Sequence, residues 1–430
     1  MIELQGKYNK DCKIYTDDLE ENAYSTIYSI LDHKISENLP IRIMPDVHDG
    51  KSIVIGFTMP LNPKMIIPAH IGVDIGCGML SAKFKASDLD VVKIDKLIKE
   101  RIPFGFNINE RTRVHSIDFS EVNSTANIFI QAFNQRFNTN YSPIKYDDKW
   151  LKDKLKKVNI GTNTFYKSIG TIGGGNHFIE CGIDSDNNYW ITIHTGSRNF
   201  GLKIENYWSN VGKDFKKNSI EYNKQKEIIL NQSDKTKIHS DLKKLNDEWN
   251  IGVSNKVPYL VDENMIGYLS DMIFAQYYAH LNRQIILEEI CKILGIQKYN
   301  ETIETIHNYI DFNDFIIRKG AIASYTDRKM IIPFNMRDGL LICKGKSNKD
   351  WNYSAPHGAG RIMSRSRAKE LIKLNHFENT MKNVYSTSIC SNTIDESPFA
   401  YKSSEFIEKA VEPTAIILDK VKPILNIKAT

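Results

Sequence analysis

The chain has 430 residues, 57 Lys plus Arg against 52 Asp plus Glu, six cysteines and 41% hydrophobic residues. That composition fits a globular protein with a sizeable core and argues against disorder; the net charge of +5 is too small to be a nucleic-acid footprint by itself. The first residues carry early charges and no apolar h-region, apolar runs fall far short of a membrane span, and the cysteines form no CxxC pair, so a cytoplasmic protein without a disulfide framework or membrane anchor is expected.

In chain order, Ile41 to Met44 reads as a short buried strand running into a polar turn, Pro45-Asp46-Val47-His48-Asp49-Gly50. A second strand, Met65 to Ile67, leads into the glycine-rich bend PAHIGVDIGCGML, which carries Asp74 and Cys77. Val91, Ile94, Leu97, Ile98 and Ile102 have helical spacing, and Trp190 to Ile193 reads as a strand ending at His194. From about 203 to 250 the text is rich in Lys, Glu, Asp and Asn with scattered apolar positions, as expected of solvated helices projecting from the body. Short strands follow at Phe315 to Ile317, Met330 to Ile332 and Leu340 to Cys343, then helices after Gly360 and after Ser404. Strands and helices do not alternate regularly. The expected class is therefore α+β, one catalytic domain over residues 1–430 with a charged helical insertion at about 203–250.

Five of the eleven histidines stand at predicted turns, most among glycines: His48, His177, His194, His307 and His357. Taken singly, a strand-end histidine is more often a hydrogen-bonded structural residue, and Cys77 alone would be a small core residue. Taken with Asp74 and Cys77, they supply imidazole, thiolate and carboxylate, the ligand types of borderline transition metals, and a thiolate can bridge two ions. Spacing does not identify the metal. In HGAGRIMSRSRAKELIKL, a glycine turn after His357 precedes a helix whose N-terminus would attract phosphate, with Arg361 and Arg365 expected on one face. His357 would stand beside that phosphate as nucleophile, general base or orienting donor. In GGGNHFIE, Glu180 offers an acceptor to the paired donors of guanine and Phe178 a face for its ring; alternatively, Phe178 and Ile179 merely enter a strand.

The motifs MPDVHDGK, PAHIGVDIGCGM, GGGNHFIE, IHTGSRNFG, IHNY, RKGA, PHGAGRIMSR and DESPFAYK occur in order along the chain. This series resembles the RtcB family of RNA ligases from about Ile41 to the C-terminus, and DIGCGM combined with HGAGRxMSR is highly specific to it. The resemblance implies a ligase dependent on GTP and two Mn²⁺ ions that joins an RNA 3′-phosphate or 2′,3′-cyclic phosphate to a 5′-hydroxyl, in tRNA splicing or RNA repair. It implies Asp74, Cys77, His177, His194 and His307 as metal ligands, with Cys77 bridging, and His357 as the guanylylated residue. Asn176, Phe178, Glu180, Asn308, Gly358, Ala359, Gly360, Tyr401 and Lys428 match nucleotide-contacting stretches, His307 adjoins them, and RNA is the partner, with room for an activating protein factor. The chain departs from the family pattern where Gly-Ser-Met-Gly is expected: it has Phe334-Asn335-Met336-Arg337, and a family serine falls on Leu340. Pro333, Asn335 and Met336 remain nucleotide-contacting candidates, and Arg337 is a candidate bidentate phosphate clamp. Arg198, Arg318, Lys319, Arg361 and Arg365 are candidates for RNA phosphates or the GTP tail. Two other readings compete: a dinuclear-metal phosphodiesterase or cyclic-phosphate hydrolase, and a nucleic-acid-binding relative that has lost ligation.

Overall fold

A computed structural model describes residues 1–50, 52–213, 220–249 and 257–430; the expected insertion at 214–219 and 250, and Lys51 of the MPDVHDGK motif, lie outside the described residues. Two sheets organise the chain. In the seven-stranded sheet the order is Glu301–Ile306, Gly78–Phe84, Tyr189–Thr195, Phe178–Ile183, Ala415–Ile427, Leu340–Gly345 and Lys329–Pro333, every neighbouring pair antiparallel. In the six-stranded sheet it is Ile2–Leu4, Cys12–Ile14, Ile41–His48, Ile55–Pro60, Ile316–Lys319 and Asn308–Ile310. One antiparallel sheet and one mixed sheet, in which Cys12–Ile14 and Ile41–His48 run parallel, match the α+β class. Among the described residues no helix is long and apolar enough to cross a membrane.

The long helix Asp262–Leu294 packs across the back of the seven-stranded sheet. Its first half is buried on nearly every side, from Met265 to Gln276, which erases the single apolar stripe by which a surface helix is recognised. Arg283 on this helix is fully buried and ties the machinery together: it donates to the carbonyls of Gly76 and Thr195 and pairs with Glu304. The expected helix near Val91 spans Val91–Arg101, capped by Asp90, whose side chain accepts from the Lys93 N–H at 3.0 Å.

Three sequence expectations change. The polar turn expected after Met44 is instead the continuation of a strand to His48; its ladder is irregular between Ile43 and His48, where Pro45 has no N–H to give. The charged region near 203–250 is only partly solvated, because its first helix, Arg198–Lys213, buries Phe200, Ile204 and Trp208. Arg361 and Arg365 do not share a helix face: the helix is Arg365–Leu371, capped by Ser364, while Arg361 lies upstream in a bridge to Tyr401.

Candidate metal centre and nucleotide cleft

The order of the seven-stranded sheet builds the centre. Neighbouring strands lie about 4.7–4.9 Å apart, so residues at one end of adjacent strands arrive at metal-sharing distance. Cys77 immediately precedes Gly78–Phe84, His177 precedes Phe178–Ile183, His194 lies near the end of Tyr189–Thr195, and His307 follows Glu301–Ile306. The register fixes their height: His194 stands opposite both Met79 and Phe178, and Ile306 opposite Gly78. Cys77 Sγ is 3.4 Å from His177 Nε2 and 3.4 Å from His194 Nε2, His194 Nε2 is 3.3 Å from His307 Nε2, and His177 Nε2 is 3.1 Å from Asp74 Oδ2.

These atoms form two groups, Cys77 with His194 and His307, and Asp74 with Cys77 and His177, each within 4.8 Å. One thiol belongs to both. Two glycines clear the space: a Cβ at Gly173 would meet His177 Nδ1 at 2.2 Å, and one at Gly196 would meet Asp74 Oδ1 at 2.2 Å. Burial, followed by the neighbouring histidines, holds His194 and His307 well below the usual imidazole range, which favours the neutral form that ligates metals. Burial pushes the Cys77 thiol well up, whereas burial of Asp74 is outweighed by its hydrogen bond from His177 and its carboxyl is held down. Soft sulfur, imidazole and one carboxylate fit a borderline divalent ion.

His357 enters from a separate two-stranded sheet. It follows the short strand Ser354–Pro356, paired with Ala321–Ala323, and its ring centroid is 4.9 Å from that of His307. Asp46, fully buried in the strand Ile41–His48, places Oδ2 2.7 Å from His357 Nδ1 and accepts from the backbone N–H groups of His357 and Gly358 at 3.0 and 3.3 Å. A carboxylate only accepts, so Nδ1 donates and the Nε2 lone pair is left available. Gly360 permits this approach: its φ is +69° and a Cβ there would meet the Asp46 carbonyl oxygen at 2.2 Å. His48 accepts no metal partner; its Nδ1 lies 2.9 Å from the Asp46 carbonyl and its ring stacks 6.4 Å from His357.

A cleft opens from His194, His307 and His357. Asn176, Phe178, Glu180, Pro333, Asn335, Met336, Gly358, Ala359, Gly360, Tyr401 and Lys428 all line it, so those sequence candidates converge. Asn308 does not; its side chain is spent on the Gly320 N–H and the Asp74 carbonyl. Within the cleft the Glu180 carboxyl is pushed up to about 8 by burial, against the lowering effect of Asn426, which donates to Oε2 at 2.8 Å, and of Lys428. Oε1 has no partner.

At the opposite wall Glu396 gathers Lys428 at 2.8 Å, Arg361 at 3.5 Å, Tyr401 at 2.8 Å and Arg365. Burial would raise this carboxyl, but Lys428 and Arg365 outweigh it and hold it at about 2. Lys428 also donates to the Asn176 carbonyl and sits 5.3 Å over the Phe178 ring.

Of the candidate phosphate-binding cations, Arg361 and Arg365 line the cleft. Arg318 does not reach it: fully buried, it pairs with Asp314 and Asp311 and donates to Ser354 Oγ, bracing the strand that precedes His357. Lys319 donates to the Ala69 carbonyl, and Arg198 is bonded to Thr171 Oγ1 and the Gly105 carbonyl. Arg337 is no phosphate clamp, because its guanidinium is engaged by Asp338 and Thr380 outside the cleft. Sequence reasoning missed Asp46, Asn426 and Glu396. Asp46 and Glu396 nevertheless lie in MPDVHDGK and DESPFAYK, and Asn426 is an asparagine at an otherwise apolar strand end.

Two overlapping Cys/His/Asp groups, a histidine held by a buried carboxylate, and a cleft with a cationic wall define an enzyme site of the metal-binding kind on an α+β scaffold. A family model described as tRNA-splicing ligase RtcB matches residues 35–429, and the chain belongs to the RtcB family. It is 28% identical over 410 residues to the RNA-splicing ligase RtcB of Escherichia coli K12, covering 90% of each chain. It is 22% identical over 443 residues to the tRNA-splicing ligase RtcB of Aeropyrum pernix, covering 89% of this chain and 86% of that one. The corresponding protein of Pyrobaculum aerophilum is 23% identical over 427 residues, covering 86% and 83%.

Proposed function

We propose that this protein is a GTP-dependent RNA ligase that joins RNA 3′-phosphate or 2′,3′-cyclic phosphate ends to 5′-hydroxyl ends, in cytoplasmic tRNA splicing or RNA repair. The observation that carries the reading is the Asp46–His357 pair at the junction of the metal centre and the cleft. A hydrolase would need the metal ligands alone and would leave this pair and the buried Glu180 unused.

Asp74, Cys77 and His177 would hold one Mn²⁺, and Cys77, His194 and His307 the other; the two ions would neutralise phosphate charge as Lewis acids. The chain's own groups do the rest. His357 Nε2 attacks the α-phosphorus of GTP and pyrophosphate leaves, while Asp46 accepts the Nδ1 proton bond and stabilises the positive charge developing on the ring. Burial leaves Glu180 largely protonated in the free cleft; on guanine binding it releases that proton to solvent and its carboxylate accepts the paired N–H donors, with Phe178 and Tyr401 against the nucleotide and Asn176 and Lys428 at its edge. GMP passes from His357 to the RNA 3′-phosphate; the 5′-hydroxyl then attacks that phosphorus and GMP departs.

Incubation with α-labelled GTP and Mn²⁺, followed by denaturing electrophoresis, tests this. Acid-labile label is expected from GTP, much less from ATP, and none on His357→Ala. Label persisting on that variant, or no label on metal-loaded wild type, overturns the reading.

A further inference from the structure

A second, larger cleft lies between the 103–113 loop and residues Lys428 to Thr430. It shares Lys428 with the first as a lining residue, and its Gly174 belongs to the glycine turn that leads to Asn176 and His177. The loop is latched to the glycine turn that carries those residues: the Gly105 N–H donates to the Gly173 carbonyl at 3.2 Å, the Ile172 N–H to the Pro103 carbonyl at 2.9 Å, and Arg198 Nη2 to the Gly105 carbonyl at 2.6 Å.

Two features of this cleft have no structural use. Phe106 is 105% exposed at the loop's apex, whereas the next most exposed large hydrophobic residue among those described, Ile228, is at 62%. An aromatic ring held wholly in water gains nothing for the fold. Lys99, Arg101, Arg111, Arg113 and Lys428 line the cleft against Glu100 and Glu110. Arg101 and Arg113 pair with Glu289 and Lys99 bonds Thr387, but Arg111 is exposed and has no ion pair among the described residues.

We infer that this cleft is the path of the single-stranded RNA next to the ligation junction, with Phe106 as a platform on which a base stacks and Arg111 as a phosphate contact. An aromatic face beside a cationic groove is the arrangement by which single strands are held without sequence readout, and the latched loop fixes that platform relative to His177 and Lys428. The inference rests on the ligase reading.

The test uses Phe106→Ala, Phe106→Tyr and Arg111→Ala with short RNAs bearing a 3′-phosphate or a 5′-hydroxyl, each titrated separately under single-turnover conditions. All three variants should take label from GTP at the wild-type rate. Phe106→Ala should raise the RNA concentration for half-maximal ligation about 5- to 150-fold for at least one strand, the equivalent of one stacked base. Phe106→Tyr should restore it, and Arg111→Ala should weaken RNA binding and flatten its salt dependence. Unchanged RNA dependence for both strands in Phe106→Ala, with normal labelling, overturns the inference and leaves the ligase reading standing. Absence of label in the wild type instead removes the ligase reading and this inference with it.

Discussion

Asp46→Asn is the most direct probe of how the nucleophile is prepared. The substitution keeps shape in a fully buried site, and the amide oxygen can still face His357 Nδ1 at the observed 2.7 Å and the two backbone N–H groups at 3.0 and 3.3 Å. What it removes is the negative charge opposite the ring. A hydrogen bond to a charged group contributes roughly 1.5–3 kcal/mol and a neutral one roughly 0.5–1.5 kcal/mol, so the loss as His357 gains positive charge is about 1–2 kcal/mol. That corresponds to a roughly 5- to 30-fold slower attack on the α-phosphorus, with little change in thermal stability. Asp46→Ala should differ in kind: it strands two backbone N–H groups, each costing roughly 1–3 kcal/mol when left unsatisfied, so it should lower the melting temperature as well. Rapid-quench measurement of GMP attachment checks both variants. Wild-type labelling rates in a folded Asp46→Asn protein would refute the idea that the carboxylate polarises His357.

Cys77→Ala should lower the manganese content by elemental analysis from about two ions per chain to one or fewer, since the thiol belongs to both ligand groups; two ions retained would contradict a shared ligand. Glu180→Gln should lose discrimination for GTP over ATP and also change the pH response of stability. With the Glu180 carboxyl at about 8 in the folded chain against 4.5 unfolded, the folded state holds the extra proton, so wild-type stability falls as pH rises from about 4.5 through about 8 and levels off above. The melting temperature of Glu180→Gln relative to wild type should therefore be more favourable at pH 8.5 than at pH 5, and an equal difference at both would refute the burial argument. Arg337→Ala should leave GMP attachment within about threefold of wild type, because its guanidinium is engaged by Asp338 and Thr380; a loss of a hundredfold would restore it as a phosphate ligand.

The candidate metal ligands were legible because they are chemically conspicuous and all but His307 sit beside glycines. Their assembly was not legible from local text: His307 is 113 positions from His194, and only the sheet order brings Nε2 to Nε2. Asp46 stood in view in MPDVHDGK, but its role did not, for a related reason. It is one carboxylate among many, and its partner His357 is 311 residues away. The helix Asp262–Leu294 escaped because periodicity reports a boundary between core and water, and this helix has almost none over its first half. The strand Ala415–Ile427 escaped because its outward Ile416, Ile417 and Leu418 break the alternation expected of a half-buried strand. Its C-terminal end nevertheless sets Asn426 opposite Glu180 and carries Lys428 to the cleft.

The departure at Phe334–Arg337 is better understood as a change of wall than as a loss of machinery. Phe334 is buried with Ala359 and Tyr401, so it packs behind the glycine turn that follows His357, and Met336 is buried with Ala368 and Phe377 beside the next helix. Asn335 turns inward on its own loop, its Oδ1 accepting from the N–H groups of Arg337 and Asp338 at 3.0 Å each. The segment thus closes on itself and presents carbon rather than donors to the cleft. On the proposed ligase reading, charge for a triphosphate would come from the cations that Glu396 holds in place, Arg361, Arg365 and Lys428. Because Glu396 and the Asp395 carboxylate beside Arg365 face these three cations, the cluster is held in place with one surplus positive charge. A phosphate entering the cleft therefore meets pre-positioned guanidinium and ammonium groups whose desolvation is already met by the fold, and the loop at 334–337 need contribute only shape.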